Sequence, residues 1–323
     1  MKKVVVHVLG YRAINHLQAG SLRAMLTEMH QMRDCETHLV FQDNYSQDGS
    51  IEYALGMEGL DVILSPQNLL YTEGVNRGLQ YIEYAYKPDY VILADADNYC
   101  SAGCYERLVR FMEDNPLVGM AQPLVVSKQD PTQIYSCGHE YVNNLFCRPI
   151  RKIPDDLGFL RCLQSCSLCS TIVRVDVLRS IGILNECFKI YYESSDLSFR
   201  IRAAGYSCAC CMEAIAYNEG TNGSKTGNYH EAFYRWRNGL LLWYMHDAEK
   251  YLAMREVMLR ELSPLQRRFN ESKYCTDCVE ESARKGIVEG MRICDQRSPE
   301  ELRACVPSIV CFDKSSVIVL QKG

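Results

Sequence analysis

The chain has 323 residues, enough for one large domain or two ordinary ones with a sizeable core, which excludes a disulfide-stapled mini-protein. Its 35 lysines and arginines against 40 acids give a net charge of −5 with no basic block to follow a phosphate backbone, so nucleic acid is excluded as a partner. Apolar residues at 47% and charged residues at 23% are ordinary for a globular protein, and no apolar run approaches the roughly 18 residues of a membrane-spanning helix.

In chain order, the pattern begins with a strand over residues 4–9; an apolar stretch this short, interrupted by His7, does not make a signal peptide. Without an export signal the chain is expected in the cytoplasm, at most at the inner face of a membrane, with its 17 cysteines as thiols. The pairs Cys166/Cys169 and Cys275/Cys278 have metal or redox spacing but lack the further ligands of a zinc site. A helix over 14–30, a strand over 37–42, a short helix over 49–56, a strand over 61–64, a helix over 72–86, a strand over 90–94 and a helix over 102–115 follow. This alternation predicts an α/β fold with a mostly parallel, Rossmann-like central sheet flanked by helices, whose ligand site lies beyond the carboxyl ends of the strands.

From residue 117 the rhythm changes. Strand-like stretches at 118–127 and 133–143 lead through a basic, proline-containing loop at 148–156 to another at 163–173. Helical pattern returns at 176–181 and 195–204, the second closed by Gly205. Residues 218–228 have the glycine- and asparagine-rich composition of a lid, with Lys225 placed to meet a diphosphate. Beyond His230 the chain is expected to be helical to about residue 295, with two short β-prone runs between 307 and 320, which divides it into residues 1–229 and a helical extension, 230–323. Within that extension, Leu240, Leu241, Leu242, Trp243 and Tyr244 are expected to pack on the core or on a second copy of the chain, with peripheral membrane contact as the alternative.

Four segments carry chemistry. Asp95-Ala96-Asp97 follows the apolar 90–94 strand, and alternation along extended backbone turns both carboxylates the same way, so that together they can hold Mn2+ or Mg2+; a solvated turn has the same spacing. Asp43 leaves the second strand just before Asp48-Gly49-Ser50, which reads as a turn and helix start. Asn68, Gly74, Asn76 and Gly78 open the helix after the third strand, their glycines allowing close backbone approach. Glu193 and Asp196 stand three apart at a helix start, on one face, which suits either a general base or a capping arrangement.

In this order and spacing the segments resemble glycosyltransferase family 2, inverting enzymes of the GT-A fold, and in particular its rhamnosyltransferase-like branch, over about residues 3–245. Asp43, Asn44, Ser46, Asp48, Gly49 and Ser50 match the D-N-x-S-x-D-G-S pattern, Asn68, Gly74, Asn76 and Gly78 the helix start, and Asp95 and Asp97 the D-x-D. The acceptor segment is approximated from Arg174 to Gly205, and Gly286 and Gly290 resemble a glycine-containing helix near the family's C-terminus.

The resemblance implies transfer of a sugar from a UDP- or dTDP-linked donor to a hydroxyl on a glycan or lipid-linked glycan, as in polysaccharide biosynthesis, with Mn2+ or Mg2+. It implies that Tyr11 and Asp43 hold the nucleobase, that Asn68, Gly74 and Asn76 border the donor, and that Asp95 and Asp97 bind ribose and metal. The chain departs from the family at four places. Ser194 stands where an aspartate normally serves as base, Asn218 where a histidine is usual, Leu70 where a glycine is usual and Arg12 where an asparagine is common. Glu193 is therefore the expected base, ahead of Asp196, and a catalytically silent GT-A domain that binds nucleotide sugar or glycan is the alternative. A sugar nucleotidyltransferase is disfavoured, because no glycine-rich, arginine-containing loop follows Leu9.

Overall fold

A computed structural model describes the backbone of residues 1–143, 145–156, 158, 160, 162–218, 227–271 and 279–323, and their side chains except at 227–229 and 263–271. The first half comprises β1 (Lys2–Gly10), α1 (Ile14–Gln18), α2 (Ser21–Gln31), β2 (Cys35–Asp43), α3 (Ser50–Leu55), β3 (Asp61–Leu64), α4 (Leu70–Tyr86), β4 (Tyr90–Asp95), β5 (Asn98–Cys100) and α5 (Cys104–Asp114). There follow β6 (Val118–Ser127), β7 (Ile134–Ser136), β8 (His139–Val142), β9 (Phe146–Pro149), β10 (Thr171–Arg174), α6 (Val175–Ile181), α7 (Glu193–Ala203) and β11 (Ser207–Asn218). The remainder is α8 (Gly227–His246), α9 (Ala248–Glu271), α10 (Val279–Gln296), α11 (Pro299–Arg303) and β12 (Ile318–Gln321).

Among the described residues one sheet runs in the order β12-β3-β2-β1-β4-β10-β6-β11-β5, with β7 paired to β6, and β8 and β9 form a separate hairpin. Strands β1, β2, β3, β4, β6 and β11 point the same way, while β5, β7, β10 and β12 run against them. The two-residue alternation of β1 explains the layers. Val4, Val6 and Val8 enter the core under α2 and α5, whereas Val5 enters the core under α4, α6 and α7. On that second face His7 Nε2 lies 2.9 Å from Gln42 Oε1, and Gln42 donates to Ser65 Oγ. Burial lowers the His7 pKa to about 4, so the ring is neutral.

A third core joins α8, α9 and α10 to Tyr141, Phe188 and Tyr192. Gly286 and Gly290 let the backbone of α10 lie directly on that of α8, where a Cβ would meet the backbone of Phe233 and Arg237. Leu240, Leu241, Leu242 and Trp243 are buried in this core and Tyr244 is half-buried, so they pack inside the chain and are not a membrane face. Among the described residues no helix is long and apolar enough to cross a membrane.

Several element boundaries differ from expectation for local reasons. The helix expected over 14–30 is two, because Gly20 has φ 94° and ends the first. The strand expected over 133–143 is broken at Gly138, φ 138°, and its halves join different sheets. Of 163–173 only the last residues are strand, since Ser170 takes φ 54°. The tail holds one strand, β12.

Gly78 of α4 lies over the His7–Gln42 pair, and a Cβ there would overlap both side chains. Gly78→Ala is therefore expected to destabilise the chain by about 2 kcal/mol, since overpacking costs ~1–3 kcal/mol even after the helix-propensity gain of roughly 1 kcal/mol. Urea unfolding tests this, and a midpoint at or above that of the parent chain contradicts it.

Candidate active site

The parallel register gathers the chemistry at one edge of the sheet. Gly10 pairs with Asp43 and Leu9 with Asp95, so these two aspartates flank β1 at its carboxyl end, on the order of 10 Å apart by strand spacing. Asp43 is fully buried. Its Oδ2 accepts from the backbone N–H of Ser46 at 2.6 Å, while its Oδ1 is buried with no partner. Burial raises its pKa, as expected for an acceptor held out of water. Tyr11 is exposed in a crevice that also includes Arg12, Tyr45 and Asp48 and that Asp43, buried behind it, does not line. Asp48 closes the turn, accepting from the N–H groups of Ile14 and Ser50.

The segment after β3 is placed by side-chain amides. Asn44 accepts from the Leu69 N–H and donates to the Leu70 carbonyl, and Asn68 Oδ1 accepts from the Leu70 N–H. Leu70 itself sits at φ 59°, the left-handed conformation that a glycine would take without strain. Gly74 lies against Leu9 and Asn44. Asn76, expected to border the donor, is bonded within the protein. It is fully buried, donates to the Leu184 carbonyl, accepts from the Leu184 N–H and reaches Glu186 Oε1, so it locks α4 to the loop before α7.

Beyond Asp95 opens a cavity of about 470 Å³ whose wall includes Tyr71, Asp95, His139, Cys169, Glu193 and Arg235. Burial, and then the like charge of Asp97, raise the Asp95 pKa to about 7; its Oδ2 accepts from the Cys169 thiol at 3.4 Å. Asp97 stands in the turn between β4 and β5 rather than on extended backbone, and both aspartates are partly exposed; two neighbouring carboxylates that repel one another fit a divalent cation, and oxygen donors suit Mn2+ or Mg2+. Among the described residues no three His, Cys, Asp or Glu side chains are grouped to hold a metal ion, so Asp95 and Asp97 would share it with oxygens of a bound ligand. Asn218, at the end of β11, pairs in register with Asn98, next to Asp97, with the two side-chain amides 3.5 Å apart.

Glu193 opens α7 on the same wall. Its Oε2 is buried without a partner, and burial, followed by the nearby Asp95 charge, raises its pKa to about 7. Such a group exchanges a proton readily at neutral pH. Ser194 and Ser195 line the cavity beside it. Asp196, the alternative base, is placed elsewhere: 1% exposed and outside the cavity wall, it accepts from Arg200 and His246 at 2.8 Å each. Against a burial that would raise it, the Arg200 charge holds its carboxyl below the usual range. It braces α7 and has no proton-accepting capacity to spare.

The turn before Glu193 is strained, with Lys189, Tyr191 and Tyr192 at φ 65°, 65° and 70°. Asn238 of α8, fully buried, places its amide nitrogen 2.8 Å from the carbonyls of Phe188, Ile190 and Tyr191. Sequence reasoning missed Asn238, Tyr71, His139 and Arg235, and singled out Cys169 only for its spacing from Cys166. The signals were an amide inside an apolar helix and, for Tyr71, its place between Asn68 and Gly74. The two members of the Cys166/Cys169 pair face different partners: Cys166 bonds to the Ala209 carbonyl and Cys169 to Asp95, and every described cysteine is a free thiol. Lys225, the rest of the expected lid and the Cys275/Cys278 pair lie outside the described residues.

A model of the family "Glycosyl transferase family 2" matches residues 14–175, half of the chain. No curated protein matches the chain by sequence. Among solved structures it is similar to a mannosyltransferase of Pyrobaculum calidifontis in complex with GDP-Man and Mn2+, at 13% identity and TM-score 0.54, covering 92% of this chain and 88% of that one. GalNAc-T7 with UDP, GalNAc and Mn2+ gives 12% identity and TM-score 0.55 over 95% of this chain and 58% of that one. TarS of S. aureus gives 12% and 0.50 over 80% of this chain, which spans 42% of the TarS chain. These neighbours share the GT-A fold.

Asn76→Ala removes three polar contacts and leaves the Leu184 N–H and carbonyl buried and unmet, so it is expected to cost about 3 kcal/mol of stability. Nucleotide affinity of the folded variant is expected to equal that of the parent. Calorimetric titration and thermal unfolding of the variant check both, and a loss of affinity at unchanged stability would return Asn76 to the ligand site.

Proposed function

The chain belongs to glycosyltransferase family 2, and from that premise we propose that it moves a sugar, with inversion, from a uridine or thymidine diphosphate donor to a hydroxyl of a glycan or lipid-linked glycan, as a member of the rhamnosyltransferase-like branch. The observation that carries this reading is the Glu193 carboxylate, an unpartnered buried oxygen on the wall of the cavity that Asp95 also lines. Glu193 takes the proton of the acceptor hydroxyl as that oxygen attacks the anomeric carbon from the face opposite the departing diphosphate. Asp43 supplies donor selection, its vacant Oδ1 accepting the imide N–H that uracil and thymine present. A divalent cation on Asp95 and Asp97 would neutralise charge on the leaving diphosphate, in keeping with the Mn2+ bound in the mannosyltransferase and GalNAc-T7 structures. Residues 1–229 bind donor and acceptor, while the extension from residue 230 braces the site through Asn238 and lends Glu231 and Arg235 to its wall.

Glu193→Gln keeps the size and removes the basicity, so transfer is expected to fall by about a hundredfold or more with nucleotide affinity unchanged. Only the ionised carboxylate accepts a proton, and its pKa is about 7, so kcat/KM at saturating Mn2+ rises with pH up to about 7 and levels above it. That limb is expected to vanish in the variant. Full activity in Glu193→Gln removes the assignment. A parent chain that binds nucleotide sugars yet neither transfers nor hydrolyses any of them supports the silent domain, for which Ser194 in the base position speaks.

Asp43 predicts that UDP and dTDP bind more tightly than ADP and GDP, and that Asp43→Ala erases the preference. Calorimetry with the four nucleotides checks it, and equal affinities in the parent chain contradict it.

A further inference from the structure

The basic loop at 148–156 has no part in the reaction described above, yet it is built with care. Ile150 is buried, its N–H donates to the Gly138 carbonyl at 2.8 Å, and its own carbonyl accepts from the Cys137 N–H at 3.0 Å. The Cys137 thiol also lies 3.8 Å from the Lys152 carbonyl. This pinning fixes Arg148, Arg151 and Lys152 along a groove of about 770 Å³, walled also by Pro149, Ile150 and Pro154. The groove shares Arg148, Pro149 and Arg151 with the cavity of Glu193, so the two adjoin along this loop. It shares no residue with the crevice around Tyr11 and Asp48, where the nucleobase end of the donor is read.

The groove's charge is lopsided. Three cations face one carboxylate, Glu140, which is already bonded to Arg148 Nε at 2.8 Å. Among the described residues neither Arg151 nor Lys152 has a carboxylate within ion-pair distance; Arg151 lies over the Tyr135 ring at 5.7 Å. Asp155 and Asp156 follow in sequence but do not line the groove. In a chain whose net charge is −5, such a track beside the reacting carboxylate is a local inversion of sign.

We propose that this groove binds the acceptor through negative charge, and that the acceptor is an anionic saccharide bearing phosphate or carboxylate groups, whose uncharged hydroxyl reaches Glu193 while its anionic neighbours lie on Arg148, Arg151 and Lys152. The proposal rests on the reading of the cavity as an acceptor site. Guanidinium groups suit both anions, since their paired N–H donors match two oxygens of either.

The test is direct binding in the absence of donor. A disaccharide carrying one phosphate, the same disaccharide carrying a uronate, and the neutral parent are titrated calorimetrically into the full chain at low ionic strength. Either charged sugar, or both, is expected to bind about tenfold more tightly than the neutral one, with the advantage shrinking as salt is added; which one shows it names the source of the charge. The double variant Arg151→Gln, Lys152→Gln is expected to lose most of that advantage, while Lys152→Arg keeps it. Both positions are exposed, so unfolding midpoints should match the parent chain and separate lost binding from lost fold. Equal affinity for all three sugars overturns the proposal, as does a charge preference that survives in the double variant. A chain that transfers to neutral sugars without any charge preference keeps the transferase reading and loses this one, whereas charge preference without transfer does the reverse.

Discussion

The site depends on one buried amide. The turn from Lys189 to Tyr192 places three non-glycine residues in left-handed conformations, each costing about 1–3 kcal/mol, and it is this turn that delivers Glu193 to the cavity wall. Asn238 offsets the strain by placing its amide nitrogen within hydrogen-bond distance of the carbonyls of Phe188, just before the turn, and of Ile190 and Tyr191 within it, with its own oxygen accepting from Arg237. Arg237 in turn donates to the Cys187 carbonyl, and from the opposite side the Thr72 N–H of α4 donates to Lys189. The turn is therefore gripped between α4 and α8. The C-terminal helices are coupled to the chemistry through backbone geometry, although most of their own residues never approach the cavity.

Carboxylates in this chain divide by what surrounds them. Asp196 is buried with a guanidinium and an imidazole bonded to it and stays ionised; Asp95, Glu193 and Asp43 have no cation hydrogen-bonded to them, and loss of water holds each above its ordinary range. The unpartnered groups are also a liability for the fold. Because the folded-state values of Asp95 and Glu193 are raised to about 7, the stability these two contribute is full when they are protonated and declines as pH rises from about 4 towards about 7. Asp43 and Asp95 end central strands and Glu193 opens α7, so the cost is concentrated at one edge of the sheet.

The strands and their order of appearance were legible because β1, β2, β3 and β4 are short apolar runs with turn residues at their ends, and a parallel register then places Asp43 and Asp95 at one edge without further information. What could not be read was the role of individual amides. Asn76 and Asn44 have the same side chain and lie near the same helix start, yet one ties α4 to a loop more than a hundred residues away and the other shapes the turn next to it. Only the tertiary partners distinguish them. Arg235 was missed for the same reason: it reaches the cavity from a helix that, read as sequence, belongs to the extension.

The four departures from the family pattern are physically unequal. Leu70 and Arg12 replace residues at home in left-handed backbone, and both adopt it, at φ 59° and 54°; the chain there keeps the shape and absorbs the strain through hydrogen bonds, from Leu70 to Asn68 and from Arg12 to Ser46. Asn218 keeps a polar, buried side chain near the aspartate pair, its amide 3.5 Å from that of Asn98, but exchanges a ring that can be charged for a group that stays neutral. Ser194 alone changes what the site can do with a proton. The carboxylate of Glu193, one residue earlier and one methylene longer than an aspartate, lines the same cavity as Ser194 with one oxygen unpartnered, and the strained turn that Asn238 holds in place is what sets it there.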